Sequence, residues 1–360
     1  DAKDTPYHFN LICLDRNTGK KLWEQTARTE VPHEGRHPTG SFAAYSPVTD
    51  GNLVWALFGS RGIHCYDLDG DHQWSRDLIK MEIFRSFGEG NSPVLAGDAL
   101  IVVMDHQGPS KIYAFNKTTG ETIWEKDRDE VTSWPTPIAL PTASGYELIT
   151  AATTGIRSYD AATGEILWER NGLGRSVIPM PVYNDDTIFF MNGFREPKLL
   201  AMEFDRTGPH SKPGAVRWQL DRNAPDVASP VLHDGKLYIV PAMRAALSCY
   251  NAATGEPYYE NERIAGAREI YASPLLAGGR LYVATRNGAV AVVRPGETFD
   301  VLAINELDDT FDASPVAIGE ARRDVREGRL LPVPLHLRDG HYSGAQQLGQ
   351  GQFAGIGAHD

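Results

Sequence analysis

The segment Ile112-Tyr-Ala-Phe-Asn-Lys-Thr-Thr-Gly-Glu-Thr-Ile-Trp124 reads as a complete hairpin. A strand-forming run ends at Asn116, whose side chain suits the start of a type I turn. Gly120 accepts the left-handed conformation that closes such a turn, and a second strand runs on to Trp124. The same turn recurs at Asp15–Gly19, Asp160–Gly164 and Asn251–Gly255. Trp23, Trp74, Trp124, Trp168 and Trp218 follow at matching positions, with Tyr259 in the sixth such place. A second marker, Ser-Pro, stands at Ser46, Ser92, Ser229, Ser273 and Ser314, with Thr136-Pro137 and Met180-Pro181 as variants, at intervals of 41–49 residues. Between markers lie further apolar strands, among them Ala99–Met104, Leu237–Val240 and Leu281–Val283. Four short strands per 40–50 residues is the pattern of a propeller blade. The sequence therefore predicts an all-β propeller, with each Trp filling the wedge between neighbouring blades.

Composition agrees with this. The 360 residues are 41% hydrophobic and 23% charged, which supplies a sizeable core and excludes wholesale disorder. The longest apolar run, Ala99–Met104, is far short of the roughly 20 residues a membrane-spanning helix needs. A net charge of −12 argues against nucleic-acid binding. Cys13, Cys65 and Cys249 share one repeat position, which Ala114 and Ser158 fill elsewhere. That slot asks for a small core side chain, and the spacing fits neither a disulfide framework nor a metal site.

The repeat resembles the PQQ-like, quinoprotein-dehydrogenase-type β-propeller repeat over about Asn10–Ile318, most clearly at Leu11–Trp23, Ile63–Trp74, Ile112–Trp124, Ile156–Trp168 and Leu247–Gly255. It is closer to the bacterial secreted proteins known by this repeat than to a characterised enzyme. The resemblance implies a periplasmic or extracellular location, although Asp1–Pro6 has no signal-peptide pattern. We expect a propeller over residues 1–319, with seven blades. The seventh would join the outer strands Leu11–Asp15 and Lys21–Gln25 to an inner strand at Ser314–Ile318, or the count is eight if upstream strands are missing. Residues 320–360 break the repeat and read as a disordered or frame-shifted tail.

Propeller topology puts the loops leading into the inner strand, and those joining strands two and three, on one face around the channel mouth. The candidate ligand-binding residues there are Arg61, Glu89, Asn91, Asp105, His106, Trp134, Arg175, Asn192, Arg195, Arg244, Arg286 and Asp312. Converging guanidiniums among them suit carboxylates or phosphates, unless each is paired with a protein acid. Asp105, His106 and Glu89 are the candidates for acid–base or metal chemistry, but no HExxH, Gly-x-Ser-x-Gly or Walker pattern occurs.

We expect no catalytic residue, no resident metal and no cofactor. The expected role is a non-catalytic scaffold for a protein partner, or for an anionic or carbohydrate ligand at the mouth. A non-enzymatic member of this superfold, the outer-membrane assembly lipoprotein, docks proteins through its propeller loops. The alternative is a PQQ-dependent dehydrogenase acting on alcohols or sugars. For such an enzyme Trp134 would stack on the quinone, and Glu89, Asn91 and Asp312 would offer oxygens to Ca²⁺. The adjacent Cys-Cys pair of those enzymes is absent, as is the Cys-x-x-Cys-His haem motif.

Overall fold

Why the repeat folds as it does is visible in one hairpin of the computed structural model. The Asn116 side-chain oxygen accepts hydrogen bonds from the amides of Thr118 (2.9 Å) and Thr119 (3.0 Å), and its carbonyl accepts one from Gly120 N–H (2.8 Å). Gly120 has φ = 69°, and a Cβ there would lie 2.5 Å from the ring of Trp74. Glycine is thus required twice, by backbone conformation and by close approach. Gly164 meets Trp124 in the same way at 2.7 Å. Three of these indole N–H groups reach over to the next turn: Trp74 to Lys117 O (3.0 Å), Trp124 to Ala161 O (2.9 Å) and Trp218 to Ala252 O (3.0 Å). The expected Trp wedge is therefore also a hydrogen bond between consecutive hairpins.

The Ser-Pro marker makes the matching clasp at the other end of the strands. Ser46 N–H donates to Ser92 Oγ (2.8 Å) and Ser92 N–H to Thr136 Oγ1 (2.9 Å). Met180, Ser229 and Ser273 N–H donate likewise to the hydroxyls of Ser229, Ser273 and Ser314. A hydroxyl every 41–49 residues thus satisfies a backbone donor that lies outside the strands.

These contacts assemble seven four-stranded antiparallel sheets, the blades of a β-propeller. Six are simple meanders: β3–β6 (Val48–Thr49, Leu53–Leu57, Ile63–Asp67, His72–Arg76), β7–β10 (Val94–Ala96, Ala99–Met104, Ser110–Asn116, Thr122–Arg128), β11–β14 (Ile138–Thr142, Gly145–Ala151, Gly155–Asp160, Ile166–Asn171), β15–β18 (Val182–Tyr183, Thr187–Asn192, Lys198–Asp205, Lys212–Leu220), β19–β22 (Val231–His233, Lys236–Ile239, Ala246–Asn251, Pro257–Arg263) and β23–β26 (Leu275–Ala277, Arg280–Ala284, Ala289–Arg294, Asp300–Glu306). The seventh joins β1 (Tyr7–Asp15) and β2 (Lys21–Glu30) to β27 (His341–Gly349) and β28 (Gln352–His359), in the order β2-β1-β28-β27.

Closure by strands from both ends matches expectation, but the strand used does not. Residues 314–317 form no strand, and β28 inside the atypical tail pairs with β1 instead, His8 opposite His359 through Asp15 opposite Gln352. The structure describes residues 5–15, 18–241, 244–317, 341–349 and 352–359. The rest of the segment expected as a tail lies outside them.

The chain forms two compact units. Unit 1 holds residues 1–141, 159–165 and 332–360; unit 2 holds residues 142–158 and 166–331. The core of unit 1 includes Phe9, Leu11, Trp55, Phe58, Leu100 and Val102. That of unit 2 includes Phe189, Leu199, Tyr238, Leu247, Leu281 and Val293. Cys13, Cys65 and Cys249 are buried and unpaired, and burial pushes their thiols up to about 11, 12 and 12. Among the described residues, no helix is long and apolar enough to cross a membrane.

Candidate functional site

In unit 1 the loops after β2, β6 and β10 (residues 31–46, 77–93 and 129–137) are laced into one surface. Phe84 N–H donates to Thr132 Oγ1 (3.1 Å), Ile83 N–H to Glu34 (3.1 Å) and His37 N–H to Phe87 O (3.0 Å). The indole of Trp134 donates to Gly88 O (2.9 Å), which ties this candidate residue down edge-on and packs it against Gly90. On this lacework Arg85 and Ser86 are both left-handed (φ 55° and 52°) and exposed. The Arg85 guanidinium lies over the Phe84 ring, and Phe84 meets Phe87 edge-to-face. Val31 (41% exposed) and Val131 (37%) stand in the flanking loops.

Beneath this surface lies a buried polar cluster. Arg61, expected at an open mouth, is 2% exposed. Its guanidinium lies over the rings of Phe9 and Phe42, with Nη1 3.1 Å from Glu89 and Nε 3.5 Å from Glu30. Glu89 also accepts from Ser60 N–H (2.8 Å) and Tyr45 O–H (3.2 Å). Burial, with the Glu89 charge beside it, holds the Tyr45 phenol well above its usual range. Asn91, left-handed at φ = 98°, is buried and donates to Val103 O (2.9 Å).

Asp105 and His106 are structural. Asp105 takes a bidentate grip from Arg128 (2.7 and 3.0 Å), and Arg128 also reaches Tyr159 O–H. His106 Nδ1 accepts from the amides of Glu82 and Gly108, both at 3.1 Å, so its proton sits on Nε2 and points to Pro109 O. An imidazole locked in this way has no free nitrogen for acid–base chemistry.

In unit 2, Arg286 is held by Asp312 (2.5 Å) and Glu269 (2.7 Å) and lies over the Tyr271 ring. Asn192 is fully buried and donates to the carbonyls of Leu173 and Arg175, while its oxygen accepts from Phe194 N–H. It thus pins together the two loops that carry the exposed Arg175 and Arg195. Arg195 is left-handed (φ 58°) and lies over Phe194. Among the described residues neither Arg175, Arg195 nor the exposed Arg244 has an ion pair. Of the candidate arginines, Arg61 and Arg286 are therefore already paired with protein acids.

Sequence reasoning missed Glu30, His33, Glu34, Tyr45 and Arg128, which carry no repeat signature. It also missed Glu147, fully buried in unit 2, whose carboxylate accepts from Ser211 N–H (2.7 Å), Trp168 Nε1 (3.0 Å) and the hydroxyls of Ser158 and Ser211. Here the indole docks on a buried carboxylate instead of a turn carbonyl. Of the residues weighed for a quinone and its Ca²⁺, Asp312 is held by Arg286, Trp134 donates to Gly88 O, and the amide of Asn91 donates to Val103 O.

Seven four-stranded blades locked by Trp and Ser-Pro clasps define a PQQ-like β-propeller repeat protein. The family model described as outer membrane protein assembly factor BamB matches residues 8–202 and 152–298, and the chain belongs to this family. BamB of Burkholderia pseudomallei (strain K96243) is 24% identical over 328 residues, covering 85% of this chain and 74% of that protein. Replication-associated recombination protein A of Bacillus subtilis (strain 168) is 56% identical over 45 residues only, 12% of this chain and 11% of that one; the chain spans a short segment of it. Among solved structures, BamB from Moraxella catarrhalis superposes with a TM-score of 0.61 at 14% identity, covering 96% of this chain and 91% of that one. A europium-containing methanol dehydrogenase gives 0.60 at 12% identity, covering 86% and 78%. At these identities the likeness to solved structures shows the fold alone.

Proposed function

We propose that this protein is a non-catalytic propeller scaffold that docks a protein partner on the loop face of unit 1, outside the cytoplasm. The observation that carries this reading is the laced loop surface. Hydrogen bonds tie its loops together, it presents Arg85 on a left-handed pair over Phe84, with Val31 and Val131 in the flanking loops, and Glu89 beneath it is turned inward onto Arg61. Arginine and aromatic side chains on a preformed surface suit a protein interface, where such residues carry much of the binding energy. The name of the family, outer membrane protein assembly, supports a partner in envelope assembly.

The test is a comparison of Phe84→Ser and Arg85→Glu with the wild type in affinity isolation from the native host. The variants should lose the co-isolated partner while keeping the wild-type melting temperature. Quinone- and Ca²⁺-dependent dye reduction with alcohols or sugars would overturn the reading in favour of the dehydrogenase.

A second reading rests on Arg175 and Arg195, exposed on loops joined by Asn192. These would take a carboxylate or phosphate, and such binding would weaken as salt shortens the screening length below about 10 Å.

A further inference from the structure

We propose that His33, Glu34 and Glu89 form a divalent-cation site of the Mn²⁺ or Zn²⁺ type in the loop face of unit 1. One carboxylate oxygen from each glutamate and a ring nitrogen of His33 all lie within 4.8 Å of one another. Metal bonds of about 2.0–2.2 Å hold ligand atoms up to about 4.4 Å apart, so small rotamer movements gather the three. Two carboxylates with an imidazole suit these ions better than a purely oxygen-seeking one.

The second, independent observation is polar groups left without hydrogen bonds in the interior. Glu89 has a side chain only 4% exposed, yet its Oε1 makes no hydrogen bond. Arg61 approaches that oxygen without hydrogen-bond alignment, and its own Nε and Nη2 are unsatisfied as well. Glu34 Oε1 is also orphaned, while its other oxygen is held by Ile83 N–H. Buried carboxylate oxygens are costly to leave unmet, so two in one cluster mark a place for a ligand.

Charge points to the sign of that ligand. Glu30, Glu34 and Glu89 stand near two guanidiniums, Arg61 and the more exposed Arg28, which is 3.1 Å from Glu30, so carboxylates outnumber guanidiniums three to two around the cluster. An added anion would worsen the imbalance, and a divalent cation offsets it. Arg61 stays beside Glu89 as its neighbour, shared with Glu30. The ring nitrogen of His33 that faces Glu89 is Nε2, 3.8 Å from Oε1 and 2.7 Å from Met81 O, so ligation through it exchanges that carbonyl contact for the metal bond.

The experiment uses the full chain, stripped with a chelator and then dialysed against Mn²⁺ or Zn²⁺, with bound metal counted by mass spectrometry and free Mn²⁺ by electron paramagnetic resonance. The wild type should retain one ion per chain and melt at a higher temperature when loaded. His33→Ala and Glu34→Gln should each weaken uptake by at least about tenfold. Glu34→Gln changes no volume, and His33 is exposed, so both variants should fold, as their metal-free melting temperatures will show. No stoichiometric uptake by the wild type would overturn the proposal. So would uptake unchanged in both variants.

Discussion

The indole N–H of Trp124 donates to the backbone carbonyl of Ala161, 37 residues on, at 2.9 Å, and the ring occupies the space that a side chain on Gly164 would need. One residue thus joins two consecutive hairpins by shape and by hydrogen bonding. Trp124→Ala should cost about 3–5 kcal/mol, the range for truncating large aromatics. Trp168 is only half-buried but donates to Glu147, so its loss also removes one of the four hydrogen bonds on a buried carboxylate. Urea midpoints measure both. A shift below about 1 kcal/mol for Trp124 would separate the repeat from the stability of the fold.

The Ser-Pro clasp makes a smaller, sharper prediction. Ser92→Ala removes the acceptor of the part-buried Ser46 N–H and should destabilise by about 0.5–1.5 kcal/mol, the net worth of one hydrogen bond. Ser92→Thr keeps the hydroxyl, as Thr136 does naturally, and should recover most of the loss. Equal unfolding midpoints for the two variants would refute the clasp.

The thiols should be inert in the fold. With Cys13 pushed up to about 11 and Cys65 and Cys249 to about 12, little thiolate exists at pH 8, and burial blocks access. Labelling by a thiol reagent should follow global unfolding, reaching three per chain only in denaturant. Rapid labelling of two in the native state would contradict the packing.

His64 gives the fold a pH dependence of known sign. Burial holds its pKa below the ordinary 6.5, and its Nε2 faces Arg61 O at 3.1 Å. The unfolded chain therefore binds the proton more readily than the folded one. This contribution is fully present above about pH 6.5 and is lost as pH falls below it. His64→Gln, which can still donate to Arg61 O, should flatten the fall in stability between about pH 6.5 and 5. A slope unchanged by the substitution would remove His64 as its source.

Much of this fold was legible because its markers are local. A turn needs Asn or Asp at one end and Gly at the other, a docking Trp has no small substitute, and Ser-Pro recurs in register. The closing strands were not legible, since β27 and β28 carry none of the markers. Nor was the fate of Arg61. A loop arginine in sequence does not say which way its side chain turns, and Phe9, Phe42 and Glu30, which draw it inward, lie on or near strands remote in the chain. Arg286 shows the same limit, with Asp312 and Glu269 both among 47 acidic residues and neither marked by spacing.

The docking claim is tested most directly by site-specific photocrosslinking in the native host, with the crosslinker at Arg85 on the loop face or at Ile166 on β14, 53% exposed on an outer strand. The account predicts one discrete protein adduct from Arg85, lost when Phe84→Asp is added, and none from Ile166. An adduct formed equally from both positions, or from Ile166 alone, would contradict it.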